Sequence, residues 1–238
     1  MKFCLIAAFM SVVMAALTIG ALPASADVIL DVKTVNRLLS DISKLHEDSL
    51  KAPKRADRLE ALYGLGERVL DLTDLMTKDL EGHGFNDPAL VELIQRRLKE
   101  NGVTITKDGP EWRYDLAAFR EYLRLAPTGP LAADVRYALV GFADTGKTVA
   151  SVQKAIADKE RFIHDYPKYS EMSLVKFLLA QDHVHLARVY DDLKQKAAAE
   201  RQRQVARNIY LEIIKLYPDS EEAGPAADNL NVFKQPKP

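Results

Sequence analysis

Residues 141–148 read Gly-Phe-Ala-Asp-Thr-Gly-Lys-Thr, the spacing of a loop whose backbone N–H groups cradle the phosphates of a nucleotide. That chemistry depends on context. A buried strand must lead into the loop, a helix must lead out, and a parallel sheet must carry both. The stretch 135–142 passes for the strand and 147–163 for the helix. Downstream, however, apolar residues recur at helical spacing almost throughout, so no further strands complete a sheet. No apolar strand ends in an aspartate suited to magnesium; Val189-Tyr190-Asp191 comes nearest, inside a helical period. Asp144 would also face phosphate charge. The same residues read as a helix that ends by Ala143, a turn over 144–147, and a helix opened by Thr148. Gly146 suits that turn because it tolerates positive φ. A helix-to-helix turn is the expectation, and nucleotide binding at 141–148 the remote alternative.

The other chemistry-bearing residues do not assemble into a site. His183 and His185 lie two apart, which on a helix points them in nearly opposite directions. Asp191-Asp192 and Glu221-Glu222 are adjacent and diverge in the same way. His46 and His164 read as surface or half-buried polar residues, and His83 sits on a glycine loop with no assignable partner. Serines, histidines and aspartates are scattered without a triad pattern. No catalytic residues, no metal site and no cofactor are expected. Arg203 and Arg207 share a helix face that reads as solvated surface, with an anionic partner as the alternative.

The N-terminus addresses the chain. Lys2 precedes an apolar run from Phe3 to Ile19, Gly20 and Pro23 break it, and Ala24-Ser25-Ala26 supplies a peptidase site. These are the parts of a secretory signal, with an uncleaved anchor as the alternative, since the run is nearly long enough to span a bilayer. The expectation is export to a bacterial periplasm, with cleavage after Ala26. The single cysteine, Cys4, falls within the signal, so the mature chain has no disulfide or thiolate chemistry. A formal net charge of −1 gives no electrostatic case for a nucleic-acid partner. No later apolar run is long enough to span a membrane.

The elements that must carry any site are helices. In residues 28–50, Val28, Val32, Val35, Leu38, Leu39, Ile42 and Leu45 recur three or four apart. A second helix begins with Asp87 as N-cap and Pro88 at its first position and is terminated by Gly102. Residues 103–114 alternate with period two around Asp108-Gly109, predicting a hairpin insert. With those two residues as the loop, Ile105 faces Trp112 and Val103 faces Tyr114. These four form a small apolar patch, which either packs on neighbouring helices or is exposed to bind a ligand.

A helix runs into a proline four times, at Pro53, Pro127, Pro167 and Pro218, and a new helix follows each time. Eight residues on stand Ala61, Val135, Val175 and Ala226; twelve on stand Leu65, Leu139, Leu179 and Leu230. Five before the last three prolines stand Tyr122, Phe162 and Ile213. Proline ends a helix and permits a sharp turn. Small or β-branched residues allow close approach, and helix hairpins that cannot bury their faces alone stack into a solenoid.

Residues 161–179 and 209–230, with Ala155 and Ala206 each twelve before a proline, resemble tetratricopeptide (TPR) repeats. The likeness is to the divergent form in the bacterial outer-membrane assembly lipoprotein family, without that family's lipid-attachment cysteine. It spans about 115–231 and departs in period: the proline intervals are 74, 40 and 51, against about 34 for the family. The resemblance implies an all-α, TPR-like antiparallel hairpin solenoid acting as a non-catalytic protein–protein interaction scaffold. Its groove would be lined by the residues nine after each proline, Arg136 and Lys176. These could hold an acidic envelope protein or peptide. Separately, 91–102 with Lys107-Asp108-Gly109 and 116–122 loosely resembles the small helical peptidoglycan-binding domain, around Gln95. Peptidoglycan is therefore the alternative partner, and an enzyme with an unrecognised site the third reading.

The expected organisation is a signal at 1–26, a helical region at 27–102, the hairpin at 103–114, repeats at 115–231 and a Pro/Lys tail at 232–238. N-terminal sequencing of the exported protein is expected to begin at Asp27; a first residue of Met1 would mean that the signal is kept as an anchor.

Overall fold

A computed structural model describes residues 30–234, apart from 85, 110, 143 and 144. The expected signal segment and cleavage site, and the end of the tail, 235–238, lie outside the described residues. The fold is all-α with one small β-hairpin, and the chain divides into two compact units that meet in sequence at Pro127 and Thr128. Among the described residues no helix is long and apolar enough to cross a membrane.

The first unit holds α1 (Val32–Lys51), α2 (Arg55–His83), α3 (Pro88–Glu100), β1 (Ile105–Asp108), β2 (Glu111–Tyr114) and α4 (Ala117–Leu125). The first helix starts four residues later than its apolar spacing predicts. Asp31 accepts the Thr34 N–H at 2.8 Å and caps it, while Leu30 turns aside to donate its N–H to Asp79 at 3.0 Å. Pro53 separates α1 from α2, which bury Val35, Leu39, Ile42, Leu65 and Val69. The third helix is capped by Asp87, whose side chain accepts the Ala89 N–H, with Pro88 at its first turn. Gly102 follows at φ 64°, a backbone region that a β-carbon disfavours.

The hairpin forms, in a different register. Ile105 pairs with Tyr114 and Lys107 with Trp112, and the ladder runs on to Asp108 and Glu111, so Asp108-Gly109 is not the loop. The expected register would have placed Pro110, which has no N–H, within the ladder. A shift of two residues leaves the side-chain parity unchanged. Val103, Ile105, Trp112 and Tyr114 therefore still share one face, and all four are buried. They belong to the core of this unit and are not an exposed patch. At α4, Leu116 has φ 61°; the Ala117 N–H donates to Asp115 and the Ala118 N–H to the Tyr114 hydroxyl at 2.8 Å. Gly66 of α2 lets Phe119 of α4 approach so closely that a β-carbon there would lie 2.5 Å from the ring.

The second unit holds α5 (Ala132–Gly141), α6 (Val149–Asp165), α7 (Met172–Asp192), α8 (Lys196–Leu216) and α9 (Ala223–Lys234). Pro167 and Pro218 stand in the α6–α7 and α8–α9 turns. Gln153 reaches Tyr190 and Lys159 reaches Asp182, so α6 and α7 run antiparallel. Lys176–Glu212 and His183–Gln202 show the same for α7 and α8. Val135, Val175, Ala206, Ile213 and Ala226 are at most 1 % exposed, as closely approaching helices require; Leu139 and Ala155 are only half-buried. Phe162 packs its ring against Tyr137, Tyr166 and Tyr169 at 5.1–6.3 Å. The division between the units falls after α4, whose Phe119 and Tyr122 are buried.

Ala206, fully buried on α8, tests the packing. Ala206→Leu is expected to destabilise the protein by about 1–3 kcal/mol through overpacking. Ala197→Leu, exposed on the same helix, should stay within about 0.5 kcal/mol. Equilibrium unfolding in guanidinium chloride compares them.

Candidate functional site

The first unit carries an open concave surface. Gly84, at φ 76°, closes α2 in the left-handed conformation, and the short connection from there to α3 carries Asn86 inward. The Asn86 amide donates to the Met76 carbonyl and to Asp79 Oδ2, both at 2.9 Å, and its oxygen accepts the Trp112 Nε1–H at 2.8 Å. Trp112 also donates its backbone N–H to Thr77 Oγ1 at 2.9 Å. Asp79 serves Leu30 through its other oxygen, which lies 3.2 Å from His83 Nδ1. One buried amide and one buried carboxylate thus tie the hairpin, the end of α2 and the start of the described chain together. Both are less than 9 % exposed, and a buried polar group is tolerated only when partnered in this way.

This network holds Trp112 as one wall of an open cleft of about 380 Å³. Leu80, Val91 and Trp112 make it apolar, and one face of α3 (Pro88, Val91, Glu92 and Gln95) forms the opposite side. Glu92, Gln95 and Lys107 are exposed at its rim. The Lys107 ammonium lies 5.8 Å from the centre of the Trp112 ring, within cation–π range. The Glu92 carboxylate and Gln95 amide make no hydrogen bond to another described residue. An aromatic wall with a carboxylate, an amide and an ammonium around it suits reversible binding of a ligand with both apolar and polar parts. Val103 and Tyr114 line a second hollow of about 260 Å³ with Leu62, Leu65 and the Arg58–Glu121 ion pair. There, burial pushes the Tyr114 hydroxyl up to about 12.

The two expected groove cations behave differently from open binding residues. Lys176 of α7 is nearly buried and bound to Glu212 of α8, 36 residues away in the sequence. Its charge is already answered within the second unit. Arg136 is half-buried on α5. Residues 132–141 are helical where a phosphate loop needs a strand, and Thr148 and Ser151 form a capping box that opens α6. His183 and His185 reach different neighbours: Nδ1 of the first lies 2.7 Å from Gln202, and Nε2 of the second 3.1 Å from the Gly146 carbonyl. Among the described residues, no three metal-ligating side chains come together.

The sequence pattern missed a buried ion pair. Lys159 of α6 and Asp182 of α7 meet at 2.7 Å with side chains 3 % and 9 % exposed. Burial raises the Asp182 carboxyl above its ordinary range against the opposing pull of Lys159. The available signal was a lysine and an aspartate on apolar helix faces, beside Ile156 and Leu179. The pair holds α6 to α7 and leaves no reactive group presented to solvent.

Comparison of the chain with protein-family models, curated proteins and solved structures found no match.

Asn86→Ala removes the partner of Trp112 Nε1, of the Met76 carbonyl and of one Asp79 oxygen. It is expected to cost about 2–3 kcal/mol, the scale of orphaning buried polar groups. Gln95→Ala at the rim should stay within about 0.5 kcal/mol. Unfolding followed by the fluorescence of Trp112, the single tryptophan, measures both.

Proposed function

We propose that this chain is an exported, non-catalytic interaction scaffold of a bacterial cell envelope, a TPR-like set of helix hairpins that holds a peptide or protein segment. The observation that carries this reading is the cleft beside Trp112. Its wall is fixed by the buried Asn86 amide, while Glu92, Gln95 and Lys107 stand at its rim in solvent. A preorganised apolar wall with adaptable polar groups around it is the arrangement of a recognition surface. The proline-punctuated hairpins of the second unit support the same reading, since stacked helices present side chains at fixed spacing. Export to the periplasm rests on the signal pattern that ends at Ala26.

One observation favours a second reading. Gln95, around which the peptidoglycan-binding resemblance is centred, lines the same cleft as Trp112. Under that reading the cleft takes a sugar or stem-peptide fragment of the cell wall.

The test is cross-linking in intact cells followed by affinity purification of the full chain, alongside co-sedimentation with purified peptidoglycan. The scaffold reading expects one envelope protein in repeated purifications. Its recovery should fall about tenfold, the factor set by 1.4 kcal/mol, when Val91→Ala and Gln95→Ala, both at the cleft, are combined. Co-sedimentation with the wall, lost with Gln95→Ala, would instead establish the second reading. Recovery of neither would refute both.

A further inference from the structure

The two edges of the hairpin are unequal. The Asp115 N–H donates to the Thr104 carbonyl and the Trp112 N–H to Thr77 of α2. These two bonds set the phase of the antiparallel ladder. Thr104, Thr106 and Asp108 point their backbone groups inward to β2, and Ile105 and Lys107 point theirs away from it. On the outer edge of β2, Thr77 accepts the Trp112 N–H. On the outer edge of β1, the backbone groups of Ile105 and Lys107 make no hydrogen bond to another described residue. Each of the two offers one donor and one acceptor along the open edge.

Charge selects what can pair there. Arg113 engages both Asp108 and Glu111, at 3.6 and 2.8 Å. The Lys107 ammonium has the Trp112 ring as its partner and no carboxylate among the described residues. A second copy of this chain would bring its own Lys107 to the same short ladder, and like charges at close range oppose pairing. A strand with an acidic side chain gains instead. Lys107 projects on the same side as Trp112, and both line the cleft, so an acidic residue paired with Lys107 would sit at the cleft mouth.

We propose that the outer edge of β1 receives an extended peptide strand from a partner protein, hydrogen-bonded to the backbone of Ile105 and Lys107, with an acidic side chain against the Lys107 ammonium. Main-chain bonds supply affinity in this mode, and alternate side chains supply specificity. The inference rests on the interaction-scaffold reading and names the segment that the scaffold holds. It also accounts for the open cleft beside the edge, which gives room to one cleft-facing side chain of the added strand.

The probe is a phage-displayed library of random heptapeptides panned on the full chain. Enriched peptides are expected to alternate β-branched residues with one acidic position. Their synthetic forms should lose about tenfold or more in affinity, at least 1.4 kcal/mol, on Lys107→Pro, which deletes an outward N–H while Thr106 and Asp108 keep the ladder. If that variant fails to fold, by loss of its native Trp112 fluorescence, Lys107→Glu carries the test. It should reject the acidic peptides and accept the same sequences with lysine at the acidic position. Enriched peptides that bind both variants as well as wild type would overturn the edge assignment and leave the scaffold reading standing. Absence of enrichment overturns the assignment too, and the scaffold reading is then decided separately by cellular capture.

Discussion

The Asn86 side-chain amide is the interaction on which the candidate site depends. It spends its donors on the Met76 carbonyl and Asp79 and its oxygen on Trp112, so α2, the loop before α3 and the hairpin cannot move independently. A buried network that is fully partnered specifies one arrangement, because every alternative leaves a desolvated polar atom without a partner. The tryptophan wall of the cleft and the contact of β2 with Thr77 follow from where this amide holds the hairpin. The unit around it is otherwise ordinary helix packing, with Phe119 seated against Gly66.

The second unit rests on a different constraint. Proline stops a helix, the next helix must return, and close return requires small or branched residues where the two cross. Val175, Ala206 and Ala226 fill those places with almost no exposure. Charged residues add cross-helix pins: Lys159 with Asp182, Lys176 with Glu212, and Arg203 with Asp191. The buried Lys159–Asp182 pair adds little net stability, since the cost of desolvating two charges offsets their attraction. These pairs engage Lys159, Lys176 and Arg203 within the unit.

Helix order, the proline turns, the capping of α3 and the shared face of Val103, Ile105, Trp112 and Tyr114 were legible because each depends on neighbours within a few residues. The hairpin register was misread by two because Asp-Gly outweighed the missing N–H of Pro110, yet parity preserved the face. The α7–α8 turn carries no proline, and Lys194 takes φ 60° there, so the proline rule passed over it. The Asn86 network, the Lys176–Glu212 pair and the unit boundary at Pro127 join residues far apart in sequence. Periodicity says which face of a helix is buried, and nothing about which polar group waits opposite. Gln95 belongs to the peptidoglycan-binding resemblance and Trp112 to the hairpin face; their meeting at one cleft is a tertiary fact.

The central claim is that the partner is held at the cleft of the first unit and not at the helix surface carrying Arg136. A photo-cross-linking amino acid placed in turn at Gln95 and at Arg136, in otherwise unaltered chains in living cells, tests it most directly. The account predicts a discrete adduct from position 95 and none from position 136. An adduct from position 136 alone would contradict it and return the binding surface to the helical repeats.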